Sequence, residues 1–290
     1  MQVLVIGNPS SGGFDDDLRS GIERALARAG TVDWFTPSGD TTDGQTAAAA
    51  RDAELVVIAG GDGSLNRALN ALGDRLGDLT FGLIPTGTGN DFARTAGLPE
   101  DPIDAAGVVV SGTPREFDVG RATGGDVSRL FLNACMGGFP VQVNEAIDED
   151  TKRKLGPLAF WVGGAKAAAG LTRSMVTMNG IEVPDCVAAG VGNGRTCGGG
   201  IEVWPDADPS DGLLDACALG ASGAGATVQL LLRVRGGDHE GLEGVATTTG
   251  GRVQIDADPP IEFNVDGELV GLFSPATFEV AGRLRLVAPA

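Results

Sequence analysis

Leu55-Val56-Val57-Ile58-Ala59-Gly60-Gly61-Asp62-Gly63-Ser64-Leu65-Asn66 passes from an unbroken apolar run, through a glycine-rich turn, into a segment of helical character. A strand that is apolar on both faces belongs to a sheet covered on both sides, the arrangement of parallel α/β proteins. Glycines at the turn let backbone N–H groups approach phosphate oxygens, and the positive end of the following helix dipole favours the anion. Asp62 stands oddly in an anion site unless it manages a metal ion or a proton. The plainer reading is a glycine turn in which Asp62 or Ser64 caps the helix.

The flanking sequence repeats the alternation of strand and helix. Val3 to Ile6 is a β-branched run ending in a Gly-Asn-Pro turn, and Val32 to Phe35 is a second strand. Between them, Asp17 to Ala29 carries Leu18, Ile22, Ala25, Leu26 and Ala29 at helical spacing. Thr42 to Arg51 is an alanine-rich helix, Ser64 to Leu72 another, and Thr80 to Ile84 a fourth strand. This order predicts an open, right-handed parallel sheet whose ligands sit beyond the carboxyl ends of its strands. The glycine-rich turns after Ile6, Ala59 and Ile84 all fall at those ends.

The last of these turns reads Pro85-Thr86-Gly87-Thr88-Gly89-Asn90-Asp91-Phe92-Ala93-Arg94. Small residues again expose the backbone, two threonines offer hydroxyls, and Asp91 and Arg94 share the next helical turn. No Gly-x-x-x-x-Gly-Lys-Ser/Thr occurs, which excludes a Walker-type site. Gly87-Thr88-Gly89 lacks the third glycine of a dinucleotide fold, so hydride transfer is a poor reading.

From about residue 115 the pattern turns to strands: Glu116 to Ala122, Arg129 to Ala134, Met175 to Met178, Ile181 to Val183, Val187 to Val191, Leu213 to Leu219, Arg252 to Ala257 and Ile261 to Val265. Asn179-Gly180 is a two-residue hairpin signal. Helical stretches at Leu158 to Leu171 and Ala224 to Arg235 interrupt the strands. The expectation is an α/β nucleotide-binding domain over 1–120, rejoined by 275–290, and an antiparallel β domain over 121–274. A chain of 290 residues is long enough for two cores.

The net charge is −18, with only three lysines (Lys152, Lys154, Lys166), a balance that resembles proteins of salt-accumulating halophiles. Such a charge disfavours nucleic acid as a partner, and the absence of tyrosine weakens base stacking further. Cys135, Cys186, Cys197 and Cys217 are isolated and read as small buried hydrophobes in a reducing compartment. No signal-peptide pattern and no run of about 18 apolar residues occurs, so a cytoplasmic protein is expected.

Gly60-Gly61-Asp62-Gly63-Ser64 and Pro85-x-Gly87-Thr88-x-Asn90-Asp91-x-Ala93-Arg94 together resemble the diacylglycerol kinase catalytic domain. The resemblance continues in order along the chain. It runs through Asn8-Pro9-Ser10-Ser11-Gly12, Asp118-Val119-Gly120, Asn133 to Phe139, Gly198-Gly199-Gly200, Pro205 to Asp215, and Asp266-Gly267-Glu268.

What the resemblance implies is an ATP- and Mg²⁺-dependent kinase acting on a lipid alcohol such as diacylglycerol or a related glycerolipid or sphingoid alcohol. Its nucleotide site would comprise Asn8, Pro9, Ser10, Ser11, Gly12, Thr36, Gly60, Gly61, Asp62, Gly63, Ser64, Asn66, Thr86, Gly87, Thr88, Asn90, Asp91 and Arg94. Asp62, Asp266 and Glu268 would be catalytic, and either Asp266 or Glu268 would take the hydroxyl proton. Asp62, Asp91, Asp118 and Glu268 would place the catalytic Mg²⁺, and Asp208, Asp211 and Leu213 a structural one. Peripheral contact with a membrane, and a homodimer, are compatible with it.

His239, the single histidine, has the pKa of a general base, but its Gly-Asp-His setting favours a structural or substrate-edge role. The family often carries a lysine just after the first loop, where this chain has Gly13 and Phe14, leaving Arg94, Arg67 or Mg²⁺ to compensate. Two alternatives stay open. One is an NAD kinase, whose family shares Gly-Gly-Asp-Gly, and the other is a catalytically silent lipid- or nucleotide-binding protein.

Overall fold

The structure is a computed structural model, and it describes residues 1–7, 14–38, 40–138 and 171–289. The chain divides into two compact units, Met1–Val119 with Gly282–Ala290, and Gly120–Ala281.

The first unit holds β1 (Gln2–Gly7), α1 (Asp16–Leu26), β2 (Thr31–Phe35), α2 (Asp43–Ala49), β3 (Leu55–Gly60), α3 (Asp62–Ala71), β4 (Thr80–Pro85), α4 (Asp91–Thr95), α5 (Pro102–Ser111) and the start of β5 (Thr113–Gly124). Strands β2, β1, β3 and β4 lie side by side and parallel, with Val3 opposite Leu55 and Val57 opposite Gly82. All six residues of β3 are buried, as its unbroken apolar run requires. Val3, Val5, Leu55 and Val57 pack under Ile22 and Leu26 of α1 and Ala105 and Val109 of α5. The helix starts are written in the sequence. Asp15 accepts from the Leu18 N–H, Thr42 and Gln45 form a capping box, and Asp101 caps α5 ahead of Pro102.

The second unit is antiparallel. After the end of β5 it holds β6 (Val127–Phe131), β7 (Ala134–Gly138), β8 (Ser174–Met178), β9 (Ile181–Gly192), β10 (Thr196–Cys197), β11 (Ile201–Glu202), β12 (Leu214–Gly220), α6 (Ala224–Arg235), β13 (Val245–Gly250), β14 (Arg252–Asp258), β15 (Glu262–Val265), β16 (Glu268–Phe273) and the first part of β17 (Ala276–Ala288). Strand order runs β16-β15-β7-β9-β8-β14-β17, with β12 between β9 and β13. Phe131, Phe263 and Phe278 meet edge to face in one core, and Trp204 packs with Leu230, Leu231 and Val234 of α6 in another.

Asn179 and Gly180 have φ of 49° and 85°, the pair that a type I′ hairpin demands. Strand β17 begins against β14 through Ala276 to Glu279 and ends against β4 through Arg285 and Leu286.

Some expected elements differ. The strand expected over Arg129 to Ala134 is two, broken at Leu132-Asn133, because those residues turn their N–H groups to the Asp266 carboxylate. The two strands expected over Ile181 to Val191 are one, β9, which carries a register shift against β8 and Asp185 at φ 50°. Helix α3 starts at Asp62, ahead of Ser64. The helix expected over Leu158 to Leu171 lies, but for Leu171, outside the described residues.

Candidate functional site

Strands β3 and β4 end together. Gly60 pairs with Pro85, and the Thr86 N–H donates to the Gly60 carbonyl at 3.1 Å, so the two glycine-rich loops leave the sheet side by side. They touch through Gly61 and Gly87. A Cβ on Gly87 would stand 2.5 Å from the Gly61 Cα, and one on Gly61 3.0 Å from the Gly87 Cα, so neither site admits a side chain.

Helix α3 opens directly from the first loop, with Gly61 at its N-cap and no side chain capping it. Its first N–H groups therefore face the space beyond the sheet with the positive end of the helix dipole behind them. Gly63 and Ser64 are part-exposed in that first turn, whereas Asn66 is fully buried and its backbone and side-chain oxygens accept from Asn70. Asn66 thereby braces α3 from inside.

The second loop is held from within. Asn90 adopts the left-handed conformation, φ 52° and ψ 39°, and makes a two-point contact with Gly87. Its Oδ1 accepts from the Gly87 N–H at 3.1 Å and its Nδ2 donates to the Gly87 carbonyl at 2.7 Å. Asp62 reaches across from α3, accepting from the N–H groups of Asp91 and Phe92, both at 3.1 Å. Asp91 is buried and takes the Arg94 guanidinium at 3.1 Å, and Arg94 also reaches the Gly89 carbonyl. Arg94 is thus folded back on its own helix. Thr88 is exposed, Thr86 part-exposed, and Arg67 exposed on α3.

Asn8, Pro9, Ser10, Ser11 and Gly12, expected in the first nucleotide loop, lie outside the described residues, as does Gly13. Thr36 follows β2 and lines a small surface hollow with Gly7, Phe14, Arg19 and Trp34. Phe14, at the position where a lysine was looked for, packs edge-on against Trp34, and the Arg19 guanidinium lies 4.8 Å over the same ring. Sequence reasoning passed over Trp34 and Arg19, although Arg19 follows Phe14 within the first turn of α1.

Asp118, the third carboxylate expected at Mg²⁺, is fully buried and accepts from the Arg283 Nε at 3.1 Å, while Arg283 Nη1 donates to Glu116 at 3.1 Å. Its hydrogen bonds to Glu116 and Asp118 hold the Arg283 guanidinium above its ordinary pKa. The donor set does not fit a metal cage. Asp62 and Asp91 both approach Gly89, but one is spent on backbone N–H groups and the other on a guanidinium. Among the described residues no group of three or more His, Cys, Asp or Glu stands where it could hold a metal ion.

In the second unit, Asp266 and Gly267 form the tight turn between β15 and β16, at φ 47° and 87°. The buried Asp266 carboxylate accepts from Leu132 at 2.9 Å, Asn133 at 2.9 Å and Ala134 at 3.0 Å, all backbone N–H groups. Burial, and next to it the Asp266 charge, push the Cys135 thiol far above its ordinary pKa. Glu268, part-exposed, opens β16.

The Asp208 to Asp215 turn closes on itself: Asp208 accepts from the Ser210 N–H and hydroxyl, and Asp211 from the Leu213 N–H. Burial, opposed by the Thr249 hydroxyl and reinforced by Asp211 and Asp206, raises the Asp215 carboxyl above the usual range. His239 is fully buried with Nε2 3.0 Å from the Val203 carbonyl, and burial lowers its pKa.

Residues 2–122 match the diacylglycerol kinase catalytic domain, and residues 133–288 match the YegS C-terminal NAD kinase beta sandwich-like domain. The chain belongs to the diacylglycerol kinase family of lipid kinases, in the form that carries a YegS-type C-terminal domain. It is 31% identical to a Stenotrophomonas maltophilia protein named "Probable lipid kinase YegS-like", across 99% of this chain and 96% of that one. It is 28% identical to the diacylglycerol kinase of Bacillus subtilis, across 98% and 95%. The crystal structure of a diacylglycerol kinase from Bacillus anthracis superposes with a TM-score of 0.80 at 25% identity, covering 99% of this chain and 96% of that one.

Proposed function

We propose that the protein transfers the γ-phosphoryl group of ATP to the hydroxyl of a lipid alcohol, diacylglycerol or a related glycerolipid or sphingoid alcohol. The observation that carries this is the uncapped start of α3 between two abutting glycine loops, an anion cradle at the carboxyl ends of β3 and β4. Phosphoryl transfer asks a protein mainly for positioning and charge stabilisation, which such a cradle supplies through fixed backbone N–H groups. Gly61, Gly63 and Ser64 would hold the phosphates from one side, and Thr86, Thr88 and Gly89 from the other.

The Asp266-Gly267-Glu268 turn would receive and orient the acceptor hydroxyl, with Asp266 fixed by its three N–H partners and Glu268 the more exposed carboxylate. Mg²⁺ would come with the nucleotide, as it commonly does when bound through substrate phosphates and water, because the aspartates named for it are otherwise engaged. Among the described residues no helix is long and apolar enough to cross a membrane, so the lipid would be met at a surface.

The test is incubation with Mg-ATP and short-chain diacylglycerol, or a lipid extract of the source organism, followed by mass spectrometry. A phosphorylated lipid is expected. No phosphorylated lipid in either arm overturns the reading, and formation of NADP from NAD would assign the cradle to a dinucleotide acceptor instead.

A further inference from the structure

The glycine-loop aspartate faces away from the role that its family resemblance suggests. Asp62 starts α3, yet both oxygens of its carboxylate serve α4: Oδ2 accepts from the Asp91 N–H and Oδ1 from the Phe92 N–H. These are the first two N–H groups of a helix, which have no acceptor within it. The residue placed to cap them, Asn90, is in the left-handed conformation, makes no cap, and braces Gly87 instead.

The two arrangements depend on each other. Asp62 does the capping, and Asn90 is thereby released to hold the loop. Gly89 lies beneath the same carboxylate, where a Cβ would come within 3.1 Å of Oδ2. The N–H groups of Thr88 and Gly89 find no acceptor in the described structure and remain for a ligand. The start of α4 cannot itself take a phosphate, because a carboxylate already fills it.

We infer that Asp62 is a positioning residue that shapes the Thr86–Asn90 loop for phosphate by capping α4, rather than a ligand of Mg²⁺. The inference rests on the proposed nucleotide site, but part of its consequence is independent of any ligand. In Asp62→Asn the amide keeps one acceptor and sets an NH2 against the second N–H, so one hydrogen bond is lost and the other loses its charge.

The experiment has two arms on the full chain. In the first, amide hydrogen exchange is followed without nucleotide in wild type, Asp62→Asn and Asn90→Gly. Glycine keeps the positive φ but removes the brace. Faster exchange over Asp91–Thr95 is expected in Asp62→Asn, and unchanged exchange overturns the inference. In the second, ADP binding is measured by calorimetry in EDTA and again in Mg²⁺. Both variants are expected to bind ADP about tenfold more weakly in EDTA, the loss that follows from one charged hydrogen bond in Asp62→Asn and from the two neutral ones to Gly87 in Asn90→Gly. The Mg²⁺ concentration for half-saturation should stay at its wild-type value.

A metal-ligand role predicts the opposite pattern, normal binding in EDTA and a raised Mg²⁺ requirement in Asp62→Asn, and that result overturns the inference while leaving the proposed function standing. Wild-type protein that binds no ADP in either condition overturns both.

Discussion

Asp266→Asn tests how far the late aspartate turn is architecture and how far it is chemistry. The buried carboxylate accepts from Asn133 and Ala134 at Oδ1 and from Leu132 at Oδ2. Asparagine has one acceptor oxygen, which keeps the pair at Oδ1, while its NH2 group meets the Leu132 N–H donor against donor. A buried N–H left without a partner costs about 1–3 kcal/mol, and the two surviving bonds lose about 1 kcal/mol with the charge. Backbone strain drops out of the difference, because asparagine tolerates the φ of 47° as well as aspartate does.

The sum is a destabilisation of about 2–4 kcal/mol, against less than about 0.5 kcal/mol for Glu268→Gln at the part-exposed start of β16. The assay is urea unfolding at fixed salt followed by tryptophan fluorescence, to which the buried Trp204 contributes from the second unit. Asp266→Asn with the wild-type midpoint and slope would refute the reasoning. If the loss is found, activity measured below both unfolding transitions then reports what the carboxylate does for the reaction alone.

Three further outcomes follow from the same geometry. Gly87→Ala places a Cβ 2.5 Å from the Gly61 Cα, so it should cost about 1–3 kcal/mol in thermal unfolding and weaken nucleotide binding together, whereas Gly77→Ala, with open space around it, should do neither. His239 resists protonation in the fold while the unfolded imidazole takes a proton near pH 6.5. Stability is therefore full above that pH and falls below it by up to about 1.4 kcal/mol per pH unit, a dependence that His239→Gln should flatten in a pH series of unfolding curves. Arg283→Gln removes the guanidinium from the fully buried Asp118 and should lower the melting temperature, while Arg252→Gln, on an exposed pair with Glu279, should leave it unchanged.

The sequence announced the first unit well because its signals are local. The apolar run of β3, the capping residues Asp15, Thr42 and Asp101, and the glycines after β3 and β4 each act within a few positions of themselves. The Asn179-Gly180 hairpin was legible for the same reason. Strand β16 went unread because it lies at the sheet edge, where exposed Leu269 and Phe273 alternate with inward Val270 and Leu272, so apolar residues fall on both faces and blur the period-two pattern.

What stayed hidden is long-range. Nothing near Leu132 says that the strand must break there, since its partner, Asp266, is 134 residues away. The partners of Asp62 lie 29 and 30 residues on, and that of Asp118 165 residues on. A motif therefore singled these carboxylates out, but each one's hydrogen-bond donors are brought to it only by the fold.

Strand β17 carries a consequence for how the chain is made. Its last residues lie against β4, so the first unit's sheet stays one strand short until Arg285 and Leu286 have left the ribosome. During synthesis β4 would present an open edge while the entire second unit is being produced. The first unit's sheet is therefore expected to gain its last strand only after the second unit has been synthesised.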